Sequence, residues 1–147
     1  MLNSLIRTDD DVSGFVLRVM LGIVFFPHGA QKVLGWFGGY GLEGTLGFFT
    51  QGMGLPLVVA ALVIAAEFLG ALGLIAGFLT RLAAFGILCV MTGAIFLVHL
   101  QHGFFMNWSG KQAGEGFEFH LLAIAMAFAL MLKGGGRWSL DRLLSRR

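Results

Sequence analysis

The sequence predicts an all-α membrane protein: an antiparallel bundle of four transmembrane helices with aromatic, glycine-rich extracytoplasmic loops and a short basic C-terminal tail. Three observations predict it. Hydrophobic residues fill 57% of the 147 positions and charged residues only 12%, about half the roughly 25% charged share of a soluble domain. Four apolar runs each approach the ~20 residues that cross ~30 Å of hydrocarbon. The basic residues gather mostly between and beyond those runs, as topology requires.

Arg7 and the acidic triplet Asp9, Asp10, Asp11 suit the start of a helix, where carboxylates meet the positive end of the helix dipole. The next apolar stretch is too long for a signal-peptide core and is expected to be a retained first span, Phe15 to Leu34. The other spans are Leu57 to Ala76, Leu82 to Leu100 and Phe117 to Leu132. Only Gly77 to Arg81 separates the second from the third, which forces a helical hairpin. Gly35 to Pro56 holds eight glycines among Trp36, Phe37, Tyr40, Phe48 and Phe49, and Gln101 to Gly116 carries Phe104, Phe105 and Trp108. Both suit an interfacial cap on one face of the bundle. Arg7, Arg81, Lys133 and the arginines of the tail fall on one side, which predicts cytoplasmic N and C termini. The tail from Ser139 to Arg147 is expected either as a short surface helix on anionic lipid or as a solvated end. One membrane domain covers residues 1–147.

Glu67 stands in the middle of the second span, where a charge costs ~2.5–3.5 kcal/mol on insertion scales and needs a partner. Arg18, Gly22, Gly29 and Lys32 share one helical stripe of the first span, with His28 at its edge. Depth leaves Arg18, His28 and Lys32 all open as partners of Glu67, and Arg18 and Lys32 could also snorkel to the headgroups. His28, His99, His102 and His120 lie toward the outer end. They could hydrogen-bond a quinone-like head group, but their spacing is no metal or haem signature. Glu118 and His120 point to different sides of their helix, so one at most faces inward, and Glu118 also suits a helix N-terminus. The lone Cys89 reads as a small buried apolar residue and excludes a dithiol centre. Gly73 and Gly77 have GxxxG spacing and could serve packing or a homo-oligomer. No nucleotide-binding loop, HExxH or nucleophile motif occurs. A net charge of +2 placed mostly at the C-terminus does not suggest nucleic acid as a partner.

Arg18 to Gly22, the run His28-Gly29-Ala30-Gln31-Lys32, Glu67 with Gly70, Gly77 to Arg81, Gly116-Phe117-Glu118 and Gly136 to Asp141 together resemble the DoxX family of small bacterial membrane proteins. The resemblance covers almost the whole chain and implies a four-helix protein of the inner membrane. It also implies a link to quinones, since some relatives are subunits of thiosulfate:quinone oxidoreductase and others belong to membrane redox complexes. By that analogy Arg18, His28, Lys32, Glu67 and Glu118 are site candidates. The expected function is a quinone-linked redox accessory subunit or small oxidoreductase. Glu67 would handle a proton, Lys32 or His28 would hold a carbonyl oxygen, and Arg18, His99, Glu118, His120 and Trp36 would bind around them. The expected partners are the bilayer, a quinone or other small ligand, a redox protein and a second copy of the chain. The alternatives are a module that binds or transports a lipid or small solute, or a scaffold whose charges only lock helix registry.

Overall fold

In the computed structural model, residues 5–145 are described, and every regular element among them is helical. Helix α1 spans Val12–Leu34, α2 Gly41–Gly47, α3 Leu57–Ala76, α4 Thr80–Ala94, α5 Glu118–Lys133 and α6 Leu140–Ser145. Helix α4 runs on through a wide π-helical turn, Ile95–His99, and a tight 3-10 turn, Leu100–His102. Three segments are long and apolar enough to cross a membrane: Val12–Leu34, Leu57–Ala76 and Thr80–His102. Helix α5 has 16 residues.

Two starts come earlier than the apolar pattern suggests, and capping explains both. The Asp11 carboxylate accepts from Gly14 N at 2.6 Å, so α1 begins at Val12 rather than Phe15. Leu79, at φ 49°, turns the chain after Gly77, and the Leu79 and Thr80 N–H groups donate to the two Asp141 oxygens at 2.7 and 2.8 Å. A carboxylate some sixty residues downstream (61 and 62 positions away) thus caps α4.

Helix α1 lies along α3, α3 beside α4, α4 beside α5, and α5 returns to α1, so these four close a ring. Leu21, Phe25, Leu74, Ile87, Met91 and Leu130 fill its centre with the alanines Ala71, Ala84, Ala123 and Ala127. The outside is apolar too, with Leu62, Leu69, Phe96, Leu122 and Leu132 largely exposed. Exposing such a surface to water costs about 25 cal/mol per Å², a cost that lipid removes. Helices α1 and α3 meet closely because Gly22 and Gly29 lack side chains. A Cβ on Gly29 would stand 2.6 Å from Phe68 Cα, and one on Gly22 would stand 2.9 Å from Ala71 O. These contacts fix the register that brings Lys32 to Glu67.

One expectation is corrected, that for Cys89, and two that were open between alternatives are narrowed. Gly73 and Gly77 face within the chain, where a Cβ would meet Phe78 O at 2.9 Å and Ser139 at 2.5 Å, and Gly77 ends α3 at φ 69°. Cys89 is exposed on the outer face of α4. Of the two forms expected of the tail, the short helix is present at Leu140–Ser145 with its leucines exposed, but it is anchored through Ser139 and Asp141, buried at 5% and 1% exposure; Arg146 and Arg147 lie outside the described residues.

The start of α1 and the end of α5 are joined by charge. Asp10 pairs with Arg137 and Arg142, and Lys133 donates to Asp11 at 2.9 Å. The Gly14 N–H, then Lys133 and Ser13, hold the Asp11 carboxyl well below the usual carboxylate range. A lowered native pKa contributes stability above the ordinary carboxylate value and loses it as pH falls through the native one. Amides at the start of α1 are therefore expected to exchange faster at pH ~3 than the neutral-pH rate law predicts, while the centre of α3 keeps its protection. Uniform loss of protection in both places would count against this end opening first.

Candidate functional site

Glu67 sits near the middle of α3 with 5% of its surface exposed. The Gly29 contact lets α1 approach closely enough that Lys32, one turn further along, places Nζ 2.5 Å from Glu67 Oε2. The two groups attract as charges, yet Oε2 receives no hydrogen bond of good geometry. Lys32 is partly open, with 22% of its side chain exposed, so its ammonium has donors to spare. Phe26 and Phe68 stack beside the crossing with ring centroids 6.1 Å apart. His28 lies one turn before Lys32 on α1 and is exposed.

A second cluster lies between α4 and α5. The π-helical turn Ile95–His99 adds a residue to the helical repeat, which rotates the residues beyond it relative to α4. His99 and His120 come together there with ring centroids 4.1 Å apart. His99 Nδ1 is 2.8 Å from Glu115 O. A carbonyl can only accept, so this nitrogen carries a hydrogen and donates. His120 is 6% exposed and its Nδ1 has no partner among the described residues. Phe119 packs on Phe25 at 6.4 Å, and Phe25 on His28 at 6.1 Å, so aromatic rings connect the two clusters.

Glu118 stands outside both. Its Oε1 accepts from Met106 N at 2.9 Å and Trp108 Nε1 at 3.4 Å, which ties the preceding loop to the start of α5. Trp36 follows α1 in a 3-10 turn, 53% exposed, edge-on to Phe37. It meets none of the other candidates.

Arg18 lies at the opposite end and is 1% exposed. Its Nε donates to Gly135 O at 2.8 Å, Nη1 to Leu74 O and Ile75 O at 3.0 and 2.6 Å, and Nη2 to Trp138 O at 2.7 Å. The guanidinium is spent on backbone carbonyls, so of the three partners left open for Glu67 the structure selects Lys32. Sequence reasoning missed Asp141, the buried counterpart of this end, although it closes the Gly136 to Asp141 run. Among the described residues, no three His, Cys, Asp or Glu side chains converge as metal ligands.

Residues 14–100, the part holding Arg18, His28, Lys32, Glu67 and His99, match the DoxX family model. The chain belongs to the DoxX family. It is 31% identical over 131 residues to "Putative oxidoreductase CatD" of Bacillus subtilis, covering 89% of this chain and 86% of that protein. It is likewise 31% identical over 157 residues to "Uncharacterized membrane protein Rv3486" of Mycobacterium tuberculosis, covering 97% of this chain and 88% of that one. A third relative, "Inner membrane protein YqjF" of Escherichia coli, is 30% identical over 138 residues, covering 94% and 96%. No solved structure matches. With DoxX membership, three apolar spans and a lipid-suited exterior, the chain is a membrane protein in contact with the bilayer.

Proposed function

We propose that this DoxX protein is a quinone-linked redox component of the bacterial inner membrane, with its polar site at Lys32, Glu67 and His28. In this reading α5 is a fourth span, and the aromatic loops lie outside. The basic residues Arg7, Arg81, Lys133, Arg137 and Arg142 hold both termini in the cytoplasm. The observation that carries the proposal is the buried Glu67 carboxylate, held inside the bundle against the partly open Lys32 ammonium. Such a pair fits a ligand that can donate to the carboxylate when reduced and accept from the spare Lys32 donors at a carbonyl oxygen.

A bound quinone would supply a two-electron, two-proton couple, with electrons coming from a partner redox protein. Lys32 Nζ would orient the carbonyl oxygen, and Glu67 would hold and release the proton at Oε2. The Phe26–Phe68 stack would keep water from the pair. The name of the Bacillus subtilis relative lends support to a redox role.

Mass spectrometry of an organic extract tests the proposal, comparing the gently solubilised wild type with Glu67→Gln and an unrelated four-helix membrane protein. Quinone is expected to be enriched with wild type and reduced about tenfold in Glu67→Gln, the effect of one lost charge-assisted hydrogen bond. Equal quinone in all three samples would sink the proposal.

A further inference from the structure

We propose a second binding site, at the start of α5, that holds a bilayer lipid with an ammonium head group. Phe104, Met106, Trp108, Glu118, Phe119 and Leu122 line an open groove of about 570 Å³ there. The site is separate from the Lys32–Glu67 pair, which lies across α1 and α3.

Its polar end is acidic. Met106 N and Trp108 Nε1 both donate to Glu118 Oε1, and Oε2 accepts from none of the described residues. The next backbone donor, Asn107 N, gives its hydrogen to Glu115 Oε2 at 2.6 Å. Consecutive N–H groups of one loop therefore each hold a carboxylate, and the one that lines the groove is that of Glu118. Against these, the segment from 103 to 118 carries a single fixed positive charge, Lys111. A cation is favoured here over a phosphate or a neutral hydroxyl. The exposed rings of Trp108 and Phe104, at 88% and 46%, add the apolar surface and π-electron density that an alkylammonium group accepts.

Its other end fits a chain. Glu118, Leu122, Ala125, Ala129 and Leu132 recur at spacings of four and three, so they form one strip along α5. No charge interrupts that strip below Glu118, and Leu122 and Leu132 are 67% and 64% exposed. An ammonium at Glu118 with an acyl chain laid along the strip uses both features. A small free amine would use only the first. Phosphatidylethanolamine has this chemistry.

The test uses the full chain reconstituted in nanodiscs of equal phosphatidylethanolamine and phosphatidylglycerol, with native mass spectrometry of the lipids that stay bound. Wild type is expected to retain phosphatidylethanolamine over phosphatidylglycerol by about fivefold, the ratio that one partly exposed ion pair supplies. Glu118→Gln keeps an oxygen for Met106 N and Trp108 and removes the charge, so the preference should vanish while the loop stays closed. Leu122→Trp, which fills the groove without touching the carboxylate, should lower retention of both lipids. Equal retention in wild type, a preference for phosphatidylglycerol, or an unchanged ratio in Glu118→Gln would each overturn the proposal. If Glu118→Gln fails to fold, unchanged retention in Leu122→Trp would overturn it on its own.

Discussion

Arg18→Ala is expected to remove the folded protein from detergent extracts, with loss of the monodisperse species on size exclusion and of a cooperative thermal transition. The side chain is one of the largest that the bundle buries completely, and its donors meet carbonyls of α3 and of the segment from 135 to 138. Removing it leaves the Gly135, Ile75 and Trp138 carbonyls without this donor, while Leu74 O keeps the Gly77 N–H, at about 1–3 kcal/mol for each acceptor left buried, and opens a void where Phe15 packs on the guanidinium. Arg18→Lys should rescue little. An ammonium is a point donor on a flexible stem and cannot span carbonyls that a planar fork reaches together. A thermal midpoint within a degree or two of wild type for Arg18→Ala would show that this end is held by something else.

The second large effect is expected from the Lys32–Glu67 pair, as a double-mutant cycle read by thermal unfolding and by quinone retention. Lys32→Met alone strands a carboxylate that is 5% exposed, at about 3–5 kcal/mol, whereas Glu67→Met leaves an ammonium that is partly open and costs less. The double variant removes both charges and should regain most of the stability, because buried ion pairs often contribute little net free energy against apolar replacements. It should not regain quinone. Recovery of both stability and retention would reduce the pair to a registry device and overturn its chemical role.

The long helices were legible because apolar runs of this length have few other solutions in a chain so poor in charge. The fourth run is the exception, since a 16-residue helix can be read by length as either a span or a core helix. Glu67 was legible as a site candidate for the same reason, but its partner was not. Arg18, His28 and Lys32 lie on or beside one stripe, and only the depth at which α1 meets α3 distinguishes them. That depth is set by Gly29 against Phe68, a contact between backbones that leaves no hydrophobic pattern. His99 and His120 were legible as neighbours at the outer end, but their direct ring contact was not. An ideal helix projected through Ile95–His99 mistakes the direction of His99, because the π-helical turn shifts the register.

The short helix of the tail, Leu140–Ser145, was legible from its leucine spacing, but its docking was not, because burial there depends on hydrogen bonding rather than hydrophobicity. Arg, Trp, Ser and Asp in a glycine-rich segment look like a solvated end. Helix α4, however, starts without a local side-chain cap, and Arg18 needs carbonyls. Asp141 and the backbone near Gly135 meet those two needs.

The bonds from Arg18 to Gly135 and Trp138 join residues 117 and 120 positions apart. During synthesis the first helix therefore leaves the ribosome long before its guanidinium can find its last acceptors. Until then only the Leu74 and Ile75 carbonyls are available to it, and α4 lacks the carboxylate that covers its first amides. Closure of this end therefore waits until residues 135 to 138 have been made. A chain that stops before residue 135 lacks the acceptors for Arg18 Nε and Nη2, so one end of its bundle cannot close.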